Sequence, residues 1–192
     1  MYTIFYKYKM SLEVVMGPMF SGKSSHINTI VKRYSAIGID TLVIKPASDD
    51  RYSVYAEVVT HDKVKFGCLS IMGNLMEIDN AITVKPKVII VEEAQFFDDL
   101  VLFAKCMVEN FHKHVVVVGL DGDSERRPFG QVLDCIPLAD KVTKLVALCA
   151  RCNDGTPALF SYRKIAVGGQ VLVGGADSYA PYCRKCYVQA NV

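Results

Sequence analysis

No stretch of the chain approaches the roughly 20 uninterrupted apolar residues that a membrane-spanning helix requires, because Glu, Asp or Lys interrupts each apolar run within about ten residues. Helical membrane insertion is therefore not expected. The chain also lacks an excess of either charge. A formal net charge of +2 gives no broad basic surface, which argues against nucleic acid as the main partner. Internal repeats and low-complexity tracts are absent, and with 51% hydrophobic and 22% charged residues the composition is that of a folded globular chain, with disorder confined to its ends. Met1 to Met10 lack the apolar middle and small-residue cleavage site of a secretory signal. That segment, with Ser11, reads as a tail (residues 1–11), and Met10 is an alternative start. Without a signal, seven cysteines point to a reducing compartment, the cytoplasm by default, where thiols serve as ligands or core residues.

The 192 residues suffice for one α/β core and a small appended module, not for two full domains. Leu12 to Met16 reads as a buried strand, Lys23 to Ala36 as a helix closed by Gly38, and Thr41 to Ile44 as a second strand, which together make a βαβ unit. Lys45 to Asp62 has no clear period and reads mostly as loop. Val88 to Val91 and Val115 to Val118 are β-branched runs of the central parallel type, Asp98 to Asn110 has helical spacing, and Lys141 to Leu148 is a further strand. The pattern predicts a parallel sheet covered on both faces, with ligands at the carboxyl ends of its strands. This core spans residues 12–148. After Leu148 cysteines and glycines dominate, and residues 149–187 read as a small β-rich module followed by a tail, 188–192.

Three constellations carry chemistry. Gly17-Pro18-Met19-Phe20-Ser21-Gly22-Lys23-Ser24 fits G-x-x-x-x-G-K-[ST] between a strand and a helix. Its glycines allow backbone N–H groups to converge on phosphate oxygens at the positive end of a helix. Lys23 can reach the β- and γ-phosphates of ATP, the Ser24 hydroxyl can ligate Mg²⁺, and Ser25 continues the site. The alternative is a glycine-rich turn that binds nothing. Glu92 and Glu93 follow the strand Val88 to Val91, where one carboxylate can hold the waters of Mg²⁺ and the other can take a proton from an attacking hydroxyl. A solvated acidic turn is the plain alternative. Cys149, Cys152, Cys183 and Cys186 form two C-x-x-C knuckles, a set that can close around one structural Zn²⁺. Redox pairs or core thiols are the alternatives. Cys68, Cys106 and Cys135 stand alone in apolar settings and read as buried small hydrophobes.

In this order Gly-Pro-Met-Phe-Ser-Gly-Lys-Ser, Glu-Glu-Ala-Gln-Phe-Phe and the paired knuckles resemble the cellular-type (type II) thymidine kinases. Asp49 to Tyr52, His61-Asp62, Leu120-Asp121-Gly122, Arg127 to Gly130, and Val173 to Gly175 followed by Tyr179 are similar to further signatures of that family, so the resemblance covers roughly Leu12 to Tyr187. It implies a P-loop, RecA-like α/β fold with a zinc-binding lasso module and transfer of the γ-phosphoryl group of ATP to the 5′-hydroxyl of thymidine, a step of deoxynucleotide salvage for DNA synthesis. It implies Glu93 as general base and Arg51 near the transferring phosphoryl group. Gln170, Leu172 and Gly174 would contact the base, Tyr179 would cover the nucleoside, and Met19, Phe96, Leu120, Phe129 and Ser161 would complete the pocket. A homotetramer is also implied.

Two positions depart from the family. Glu92 stands where Asp is usual, which moves the carboxylate by about 1 Å. Ser124 stands where an aromatic ring usually flanks the base, so that stacking comes from elsewhere or the pocket is looser and open to deoxyuridine and 5-substituted analogues. Rival readings are an ATP-driven motor, which needs a second core domain, a zinc-knuckle module that binds single-stranded nucleic acid through Arg151, Arg184 and Lys185, and a nucleotide-binding protein without catalysis.

Overall fold

Alternating Val and Ile side chains build the centre of the molecule and decide which face each helix covers. The computed structural model describes residues 10–47, 55–59, 65–165, 169–172 and 174–191. The expected site residue Arg51 and the signature positions Asp49, Asp50, Tyr52, His61, Asp62 and Val173 lie outside the described residues. The main strands are β1 (Ser11–Met16), β2 (Thr41–Pro46), β3 (Tyr55–Val59), β4 (Lys65–Ile71), β5 (Val88–Val91), β6 (His114–Gly119) and β7 (Lys141–Lys144). They form one seven-stranded sheet in the order β3-β4-β2-β5-β6-β1-β7. All neighbours pair in parallel except the edge strand β3, which runs antiparallel to β4.

The period of two sends successive side chains to opposite faces. Val14, Ile89, Val91, Val115 and Val117 point to a face packed by Phe97, Leu100, Phe103 and Met107. Val15, Val43, Val88, Ile90, Val116 and Val118 point to the other, closed by Ile27 and Ile30 of helix α1 (Lys23–Ser35). The first face is covered by helix α3 (Leu100–Lys105) with the turns around it, Leu100 and Phe103 coming from α3 itself, and the short helix α2 (Asn80–Val84) precedes β5. Both faces are thus apolar and buried, and each fully buried Val or Ile contributes about 1.5–3 kcal/mol.

The region read as loop contains β3. An edge strand paired on one side needs no buried run, so its sequence carries no strong strand signal. The helical segment expected over 98–110 starts later, because the Asp99 carboxylate accepts from the backbone N–H of Leu75 (3.1 Å) and Met76 (2.8 Å) instead of continuing a helix. It ends in a π-helical turn, Cys106–Asn110. The strand expected over 141–148 divides: β7 stops at Lys144, and β8 (Ala147–Leu148) leaves the main sheet to pair with β9 (Pro157–Ala158). A second hairpin joins β10 (Phe160–Arg163) to β11 (Tyr179–Tyr182), and helix α4 (Arg184–Ala190) follows, running past the expected boundary at 187. Cys135 is buried as expected, whereas Cys106 is only partly buried. Among the described residues no helix is long and apolar enough to cross a membrane.

Candidate active site

The carboxyl ends of β1, β5 and β6 converge on a cavity of about 560 Å³. Its floor is the turn between β1 and α1. Gly17 is required there because a Cβ would sit 2.5 Å from the Leu145 carbonyl oxygen. Gly22 caps α1 in the left-handed region, φ 84°, a conformation glycine adopts freely. No side chain caps α1 and its first turn holds no acid, so the positive helix end faces the loop. Lys23 Nζ donates to the carbonyls of Pro18 (2.9 Å) and Gly17 (3.2 Å), and burial draws its pKa down despite Glu93, Asp121 and Glu92 nearby. Ser21 Oγ is buried without a hydrogen-bond partner. A buried hydroxyl of that kind inside a nest of N–H groups fits a phosphate oxygen.

Glu92 is 7% exposed and accepts a hydrogen bond from Ser24 Oγ at 2.8 Å. Burial pushes its carboxyl upward; the Ser24 bond partly offsets this. The extra methylene relative to Asp thus brings the carboxylate directly onto the hydroxyl. Glu93 adopts φ 49°, ψ 41°, a left-handed conformation that costs a non-glycine residue about 1–2 kcal/mol. The turn sends consecutive carboxylates to different places: Glu92 to Ser24, Glu93 to the cavity wall.

Gln95 holds Glu93 in place, and sequence reasoning missed it. Its Nε2 donates to Glu93 Oε2 (2.5 Å) while its Oε1 accepts from the backbone N–H of Leu120 (3.1 Å). The only signal was its position in Glu-Glu-Ala-Gln-Phe-Phe. Gly130, φ 56°, packs so tightly that a Cβ would run into the Gln95 carbonyl. Gly130→Ala is expected to lower stability by about 2–4 kcal/mol through overpacking and backbone strain. An unchanged urea midpoint would show that this contact does not constrain the fold.

The structure brings Met19, Phe20, Gly22, Lys23, Ser24 and Ser25 to the cavity wall together with Glu93, Phe96, Leu120 and Phe129. Ser161, Gln170, Leu172, Gly174 and Tyr179 reach it from the small module. Gly17, Pro18, Ser21 and Glu92 shape or support the wall without lining it. Ser124 lines it where the resemblance put a residue flanking the base, and Lys45, Ser70 and Asp123 line it unanticipated. Phe96 and Phe129 meet edge to face, centroids 5.4 Å apart. The Met19 N–H donates to Ser161 Oγ (2.9 Å), which ties the floor to β10. Tyr179 donates to the Leu172 carbonyl (2.8 Å). At Ser124 the backbone rather than a ring is engaged: Tyr187 of α4 donates to its carbonyl (2.5 Å).

The four Sγ atoms of Cys149, Cys152, Cys183 and Cys186 lie within 4.8 Å of one another. Cys152 Sγ is 3.7 Å from Cys183 Sγ and 3.4 Å from Cys186 Sγ. Tetrahedral Zn²⁺ with bonds of about 2.3 Å sets its sulfurs about 3.8 Å apart, so the quartet fits that ion. Burial works against ionising Cys149, but the N–H groups of Cys183, Cys152 and Arg151 outweigh it and bring the thiol to about 6. Cys186 is pushed up to about 12, first by its bond with Cys152 and then by burial. Sulfurs this close can all be thiolates only around a cation.

The family model described as thymidine kinase matches residues 10–187. Thymidine kinase a of Arabidopsis thaliana is 42% identical over 186 residues, covering 95% of this chain and 76% of that protein. The thymidine kinase of Variola virus is 40% identical over 179 residues, covering 93% and 97%. Among solved structures, the ATPase DotB of Legionella pneumophila aligns with TM-score 0.41 and 12% identity over 74% of this chain and 42% of that one. With a matching family model over most of its length and relatives of this similarity, the chain belongs to the thymidine kinase family.

Proposed function

We propose that the chain phosphorylates thymidine at its 5′-hydroxyl with ATP as donor and Glu93 as general base. The observation that carries this reading is the convergence of Lys23, the Ser24–Glu92 pair and the Gln95-oriented Glu93 on one cavity, with the small module opposite. The Glu93 carboxylate takes the 5′-hydroxyl proton as that oxygen bonds to the γ-phosphorus and the bond to the β,γ-bridging oxygen breaks, releasing ADP. Lys23 and the backbone N–H groups from Gly17 to Ser25 hold the phosphates, and Arg51, by resemblance, offsets charge on the transferring group. Ser24 and Glu92 would hold Mg²⁺, which would supply positive charge to offset that of the phosphates. Cys149, Cys152, Cys183 and Cys186 would hold a structural Zn²⁺ that would tie the ends of residues 149–187, while the reacting groups belong to residues 12–148.

Gln170, Leu172 and Gly174 present backbone to the base, Tyr179 covers the nucleoside, and Met19, Phe96, Leu120, Phe129 and Ser161 complete the pocket. With Ser124 in place of a ring, deoxyuridine and 5-substituted deoxyuridines are also substrates. The protein acts in the cytoplasm as a homotetramer. Purified protein incubated with ATP, Mg²⁺ and a panel of nucleosides should yield thymidine monophosphate fastest, with deoxyuridine next. Absence of product from every deoxynucleoside would sink the proposal.

A further inference from the structure

Asp123 is buried in the loop after β6 yet belongs to none of the three constellations that carry the chemistry. Its Oδ1 accepts from the backbone N–H groups of Glu125 (2.8 Å) and Arg127 (2.9 Å), and its Oδ2 accepts from Arg127 Nε (2.8 Å). Those bonds fold the loop on itself. The remaining donor comes from 47 residues away: Gln170 Nε2 donates to Oδ2 at 3.0 Å and to the Pro128 carbonyl at 3.3 Å. Burial alone would raise the Asp123 carboxyl, but the bonds from Arg127, Gln170 and Glu125 outweigh it and hold it below the usual range. The contact with Gln170 is therefore charge-assisted, the stronger class of hydrogen bond.

Gln170 is an exposed residue whose amide could as well bond water. Its side chain instead fixes one side of the short segment 169–172. Arg163 fixes the other side, its guanidinium donating to the carbonyls of Gly169 (2.9 Å) and Gln170 (2.8 Å), and Tyr179 holds the Leu172 carbonyl. Asp123, Gln170, Leu172 and Tyr179 all border the cavity.

We propose that Asp123 is a positioning residue that, through the Gln170 side chain, fixes the backbone of residues 169–172 at the cavity wall. It rests on the cavity being the nucleoside site, where thymidine affinity follows from the placement of that backbone. Asp123 touches no reacting atom in this scheme. A role confined to stabilising its own loop predicts no energetic coupling between positions 123 and 170.

Three proteins decide the matter: Gln170→Glu, Asp123→Asn and the combination of both. Gln170→Glu sets two carboxylates face to face and should raise the KM for thymidine about tenfold, with a smaller change in kcat. Asp123→Asn keeps Oδ1 for the two backbone N–H groups and should raise KM about threefold. In the combination the new amide at 123 donates to the new carboxylate at 170, and KM should return to within about threefold of the parent, the signature of a direct contact. Trypsin cleavage after Arg163 and Lys164, measured without nucleoside, should accelerate in Gln170→Glu and slow again in the combination. Single effects that simply multiply, or a Gln170→Glu protein unchanged in both readouts, overturn the proposal. Because cleavage needs no substrate, it tests the contact even in a protein that phosphorylates no thymidine, an outcome that removes the nucleoside reading alone.

Discussion

Glu93→Gln is expected to lower kcat by about 10²- to 10⁴-fold, the usual contribution of a positioned general base, while MgATP affinity changes little. The substitution keeps the size and shape of the side chain and still offers an oxygen to Gln95 Nε2, which now bonds Glu93 Oε2. The left-handed backbone at 93 is retained, so the geometry of the turn persists and only the capacity to accept a full proton is lost. The ATP contacts proposed above lie in the loop from Gly17 to Ser25 and should persist. Steady-state rates with thymidine, paired with direct measurement of nucleotide binding, check both halves. Turnover within tenfold of the parent would assign the base elsewhere.

Cys183→Ser is expected to release the metal, unfold the small module and raise the KM for thymidine by at least about a hundredfold, because structural zinc sites supply roughly 10 kcal/mol or more of folding free energy in small domains. Position 183 is informative because it has two duties. Its Sγ also caps α4, accepting from the Cys186 backbone N–H at 3.5 Å. Serine is a good helix cap, so the cap survives while the thiolate is lost, and any collapse belongs to the metal. Metal analysis should find one zinc per parent chain and none in the variant. A parent without zinc, or a variant with its stability intact, refutes the assignment.

Legibility in the sequence followed the range of the interactions. Val88 to Val91 was readable because a strand buried on both faces must be apolar at every position, and all of it is buried. The phosphate loop was readable because its residues act on one another within a few positions. The edge strand β3 was not, since a strand paired on one side makes few demands on composition. The division between β7 and β8 was hidden because Ala147 and Cys149 answer to the cysteine cluster rather than to the sheet. Gln95 and Asp123 escaped for a related reason: each acts on a partner 25 or 47 residues distant, Leu120 and Gln170 respectively, and a polar residue does not advertise such a partner locally.

The hydrogen bond from the Met19 N–H to Ser161 Oγ spans 142 positions of sequence and joins the floor that would hold the donor to the strand that would hold the acceptor. Shared between the two sites, it offers a path for coupling, and any coupling it carries is reciprocal. Whatever factor nucleotide occupancy applies to nucleoside affinity by reshaping that bond, nucleoside occupancy must apply to nucleotide affinity. Order of addition is then a matter of rates and concentrations alone, and neither substrate can act as a one-way signal for the other.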